Sequence, residues 1–123
     1  MGTHTIQASV TVANGVLTAT IGPVQVDVPN IAAETEGQTL QWVITGDEAT
    51  VFNPTDYLVW NAPNSPLTPP TVSRSSDGKT LTASYENTVE GSAPVQWAYT
   101  VNMLHGTQRV RIDPEVDNLP PNP

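Results

Sequence analysis

Ile6, Ala8, Val10 and Val12 alternate with Thr5, Gln7, Ser9 and Thr11, the period of two that turns one face of a strand to a core and the other to water. Asn14-Gly15 follows, and this dipeptide readily supplies the two consecutive positive φ angles of a two-residue hairpin loop. Such a loop sets Val12 opposite Leu17, Val10 opposite Ala19 and Ala8 opposite Ile21, so apolar meets apolar along one face. Pro23 interrupts the pattern, Val24, Val26 and Val28 resume it, and Pro29 ends it. Residues 30–37, with Glu34, Glu36 and Gly37, read as a loop.

Leu40, Trp42 and Ile44 form the next inward row, followed by a turn at Gly46-Asp47-Glu48 and short strands around Val51-Phe52 and Tyr57–Trp60. Pro63, Pro66, Pro69 and Pro70 stiffen a connection that crosses between sheets. Val72 opens a second hairpin that turns at Asp77-Gly78 and returns through Leu81, Ala83 and Tyr85. The strongest alternation is Val95, Trp97, Tyr99, Val101 and Met103, which predicts a strand near the centre of a sheet. A turn at His105-Gly106 would set Val101 against Val110, Tyr99 against Ile112 and Ala98 against Asp113. The segment from Pro114 to Pro123, rich in Pro and Asn, reads as an irregular tail.

No helical period competes with these strands. The pattern predicts one all-β domain over residues 1–123, an antiparallel β-sandwich of about seven to nine short strands with a short tail at 114–123. Trp42 on an early strand and Tyr99-Thr100-Val101 on a late one give it an immunoglobulin-like look, by analogy alone.

Charge and composition narrow the function more than they define it. The formal net charge of −8, with four Lys and Arg against twelve Asp and Glu, should repel phosphate backbones and anionic lipid, so neither nucleic acid nor a membrane surface is expected as a partner. Cysteine is absent, which removes disulfides, thiolate nucleophiles and Cys-ligated metal. The amino terminus lacks a basic start followed by an apolar run, so a cytoplasmic location is the default expectation. His4 and His105 have no partner at metal-ligand spacing, and the glycines form no phosphate-cradling motif, so no metal or cofactor is expected. Asp47, Glu48 and Asp56 lack the D-x-D-x-D-G order of a calcium loop. Trp42 and Trp97 belong to inward rows, whereas Trp60 is left as a candidate platform for a sugar ring.

The remaining candidate is Asp113-Pro114. The Asp carboxyl can attack its own backbone carbonyl, the two groups being held together covalently, and proline departs as a basic secondary amine. Asp-Pro is equally a common way to end a strand. Arg109 and Arg111 share a face with Asp113 and favour its ionised form. With its last strand reading Arg109-Val110-Arg111-Ile112-Asp113-Pro114-Glu115, the chain resembles the DP-EP family of small bacterial β-sandwich proteins. That resemblance implies aspartic-type self-cleavage between Asp113 and Pro114, with Glu115 as the next motif position, and a C-terminal strand segment that stays bound. The residue after Glu115 is Val116 rather than proline, so the second half of the motif is missing. The opposite strand, Val95–Met103, has no lysine to capture an activated acyl group, so hydrolysis is the expected outcome. Asp27, Asp47, Asp56 and Asp117 are candidates for a carboxylate that activates water. The alternative is a non-catalytic interaction or structural module, with carbohydrate binding a third reading.

Overall fold

The computed structural model describes residues 2–22, 24–26, 38–61, 67–87, 89 and 93–119. Along them run β1 (Gly2–Ala13), β2 (Val16–Ile21), β3 (Val24–Val26), β4 (Gln38–Thr45), β5 (Thr50–Phe52) and β6 (Leu58–Trp60). They are followed by β7 (Val72–Arg74), β8 (Thr80–Tyr85), β9 (Val95–His105), β10 (Gln108–Ile112) and β11 (Glu115–Asn118). One sheet has the order β2-β1-β4-β8-β7. In the other, β9 is the spine: β10 and β11 lie end to end along one side of it, β5 and β6 along the other, and β3 flanks β11.

The two inner faces enclose one core, so the all-β sandwich read from the alternation is what the chain forms. The described strands number eleven rather than seven to nine, because β5 and β6 and then β10 and β11 split long edges of β9 into short pieces. The sandwich is also not purely antiparallel. β1 runs parallel to β4, from Gly2 opposite Gln38 to Ser9 opposite Thr45, and β11 runs parallel to β3. Both pairings join strands far apart in the chain, which local alternation cannot reveal.

The first hairpin has the register that Asn14-Gly15 requires, with Ala8 opposite Ile21 and Val12 opposite Leu17, and both loop residues have positive φ, 53° and 75°. The last hairpin differs by one position. Its loop is Gly106-Thr107, closed by His105 opposite Gln108, with Gly106 at φ 61° in the first central position that a type II′ turn reserves for glycine. Every cross-strand pair therefore moves by two: Val101 faces Ile112 and Met103 faces Val110. A shift of two keeps the same side chains inward, so the core survives the change.

Trp42, Trp97, Tyr99, Phe52, Leu40, Leu81 and Met103 are fully buried. The Trp42 indole N–H, from one sheet, donates to the Tyr99 hydroxyl of the other at 2.9 Å. Trp60 packs edge-on against Trp42 and Trp97 at centroid distances of 6.3 and 5.2 Å, and its N–H donates to the Pro70 carbonyl at 2.8 Å. Trp60 is half-buried, one side of its indole packed on the core.

The expected irregular tail from Pro114 instead holds β11, which lies between β9 and β3 with Val116 and Asn118 fully buried. Asp27, Val28, Pro29, the 30–37 loop, Pro63 and Pro66 lie outside the described residues.

Candidate functional site

Proline explains why β10 and β11 are separate strands. Ile112 faces Val101 and Glu115 faces Ala98, so the two residues between them, Asp113 and Pro114, stand opposite Thr100 and Tyr99 with no bulge. The ladder runs straight through the Asp113-Pro114 bond. At this rung the Tyr99 N–H donates to the Pro114 carbonyl at 3.1 Å. The reciprocal bond, from the N–H of residue 114 to the Tyr99 carbonyl, cannot form because proline has no N–H.

Pro114 is buried, whereas Asp113 and Glu115 point out of the sandwich and are exposed. The Thr100 hydroxyl, directly across, donates to Asp113 Oδ1 at 2.6 Å. The Asn61 side-chain amide supports that hydroxyl, donating to Thr100 Oγ1 at 3.0 Å. Arg111 Nε lies 3.5 Å from Asp113 Oδ1. The Thr100 hydrogen bond holds the Asp113 carboxyl below the ordinary carboxylate range; partial desolvation opposes it, and the charge and hydrogen bond of Arg111 reinforce it. Asp113 is therefore ionised at neutral pH. Beside it, on the outer face of the sheet, a shallow groove of about 280 Å³ is lined by Asp56, Val59, Asn61, Thr100, Asn102 and Arg111.

Of the candidate water-activating carboxylates, Asp56 lines this groove. Asp117 lies on the exposed face of β11, where the Gln96 amide donates to Glu115 Oε2 at 2.9 Å and to Asp117 Oδ1 at 3.0 Å. Asp27 is outside the described residues. Asp47 belongs to a different cluster, at the end of β9. There it accepts from the Thr50 hydroxyl and contacts His105 Nδ1 at 2.6 Å. The Thr50 bond leads in holding its carboxyl below the ordinary range, with His105 adding to the effect. Lys79 is drawn to the same loop, its ammonium donating to the carbonyls of Asp47 (3.2 Å), Glu48 (2.5 Å) and Thr50. His4 Nε2 contacts the Gln38 amide oxygen at 2.9 Å. Among the described residues, no three His, Asp or Glu side chains gather as a metal site, and no helix is long and apolar enough to cross a membrane.

Thr100 and Asn61 were not visible in the sequence as partners of Asp113. The signal lay in the last turn: placing Gly106 first in its loop brings Thr100, rather than Ala98, opposite Asp113.

No family model matches the chain, and no curated protein matches it. Among solved structures it is similar to the N-terminal domain of phage TP901-1 ORF48, at 16% identity and a TM-score of 0.44, over 99% of this chain and 100% of that one.

Proposed function

We propose that the domain is a self-processing aspartic-type peptidase whose substrate is its own Asp113-Pro114 bond. The observation that carries this reading is the setting of the bond: an ionised, exposed Asp113 carboxylate beside a peptide link at the rung where proline leaves a ladder hydrogen bond unmade. In the reaction, an Asp113 carboxylate oxygen closes on the Asp113 carbonyl carbon to give a five-membered cyclic anhydride. The C–N bond to Pro114 breaks and the ring nitrogen takes a proton from water. Hydrolysis of the anhydride leaves Asp113 with free α- and β-carboxylates, and overall one water is consumed.

Two features favour the products. The freed Pro114 amine carries the N–H that residue 114 lacks in the intact chain, so it can donate to the Tyr99 carbonyl and complete the rung. The downstream strand keeps both its neighbours, β9 and β3, so the fold does not depend on the broken link. Asp113 must first leave Thr100, which makes the resting state slow.

Intact mass during prolonged incubation from mildly acidic to neutral pH tests the reading. The expected result is a pair of fragments, one ending at Asp113 and one beginning at Pro114, absent in Asp113→Ala. An unbroken chain under every condition overturns it.

A second reading, a non-catalytic interaction or structural module, is favoured by the 2.6 Å Thr100–Asp113 hydrogen bond in an unbroken register. In that case Asp113 is a cross-strand staple, and the same assay shows no cleavage.

A further inference from the structure

We infer that the slot between β9 and β3 is a peptide-binding site that can take up, in exchange, the 114–123 segment of a second copy of this chain. The inference rests on the self-cleavage reading, because the segment becomes free to leave only when the Asp113-Pro114 link is open. Recognition by an added strand combines main-chain hydrogen bonds for affinity with pockets for alternate side chains for selectivity, and β11 has both.

Its backbone is paired along both edges. Glu115 to Asn118 face Ala98 to Val95 antiparallel, and Val116 to Asn118 face Val24 to Val26 in parallel. The Leu119 N–H continues the pairing to the Val26 carbonyl at 2.9 Å. Inward, the slot reads an apolar side chain at 116 and an amide at 118, both fully buried. The Asn118 amide oxygen accepts from the Tyr85 hydroxyl at 2.5 Å, and its nitrogen donates to the Val95 carbonyl at 3.3 Å. Asn87 closes the far end, donating to the Leu119 carbonyl at 3.2 Å and the Val26 carbonyl at 2.8 Å. Outward, Gln96 spans the carboxylates of Glu115 and Asp117.

These contacts come from β3, β8, β9 and Asn87, and none comes from β10. The covalent link raises the local concentration of the segment but supplies no part of the slot. A second copy presents the same Pro-Glu-Val-Asp-Asn-Leu sequence and so fits the same contacts. The chemistry selected is an extended peptide with a small apolar residue, an acid and an amide in succession.

The test uses the complete sequence in cleaved form, either the self-processed protein or the same chain reassembled from residues 1–113 and a synthetic 114–123 peptide. Isotopically heavy 114–123 peptide is added in excess and the complex is followed by native mass spectrometry near the onset of thermal unfolding. Heavy peptide should replace light until the two reach the mixing ratio, while the uncut chain takes up none. A Val116→Asp peptide should compete at least about 100-fold less well, because it would bury an unpaired carboxylate. An Asn118→Ala peptide should compete roughly 10-fold less well, having lost a buried hydrogen-bonding partner. Failure of the pieces to reassemble, absence of exchange, equal uptake by the uncut chain, or indifference to Val116→Asp each overturns the inference. A chain that never cleaves itself overturns the self-processing reading instead, and the reassembled protein still reports on the slot.

Discussion

Replacing Tyr99 by Phe removes one oxygen from the centre of the sandwich. Trp42 and Tyr99 are both 0% exposed, and the indole N–H of Trp42 donates to the Tyr99 hydroxyl at 2.9 Å. Phe keeps the ring, its edge-on contact with Trp42 at 5.7 Å and its tilted contact with Trp60 at 5.3 Å, so little packing is lost. What remains is a buried N–H without an acceptor, which costs about 1–3 kcal/mol. With an unfolding entropy of about 2.1 cal/mol/K per residue over 123 residues, the midpoint should fall by roughly 4–12 °C. Thermal unfolding followed by circular dichroism measures it, and a cycle with Trp42→Phe isolates the coupling, expected at about 0.5–3 kcal/mol. A fall of less than about 2 °C, with no coupling in the cycle, would refute the claim that this hydrogen bond ties the two sheets together.

Burial pushes the Tyr99 hydroxyl up to about 12, opposed in part by the Trp42 hydrogen bond, and pushes Tyr85 up as well. The folded state thus holds phenolic protons that the unfolded chain releases near pH 10; stability is intact below pH 10 and is lost as pH rises from 10 toward 12, which a urea titration repeated across that range should register. A Cβ at Gly46, where φ is 100°, would sit 2.1 Å from the Val10 carbonyl oxygen, whereas nothing lies within 4 Å of one at Gly15. Gly46→Ala should therefore cost more than about 3 kcal/mol and Gly15→Ala only about 1 kcal/mol, from backbone conformation alone; equal losses in denaturant melts would contradict the contact. Thr100→Val removes the hydroxyl that restrains Asp113 while keeping the side chain's shape. Fragment release, followed by mass, should then be faster than in the wild type; a slower reaction would mean that Thr100 aids the step rather than delaying it.

The first hairpin was legible because Asn14-Gly15 fixes its own register, and the inward rows of β4, β8 and β9 were legible because apolar residues recur at every second position. β11 was hidden because one of its two inward residues is Asn118, whose burial makes sense only once Tyr85 and Val95 stand beside it. The parallel partnership of β1 with β4 leaves no local trace, since either strand's alternation fits many neighbours. At the site, Asp113 could be read from its chemistry alone. Thr100 could not, because it depends on a turn whose misplacement by one residue moves every partner by two while leaving the core pattern unchanged.

The parallel pairing of β3 with β11 also bears on the order of assembly. Val24 is synthesised well before Val116, its neighbour in the sheet. Until residues through Asn118 have emerged, β3 has no β11 to pair with, and Trp97 and Val26 have no Val116 and Asn118 to cover them. Closure of the second sheet therefore waits for β11, long after β3 has been made. A nascent chain stalled before Pro114 would present an open apolar slot to whatever strand, or chaperone, is nearest.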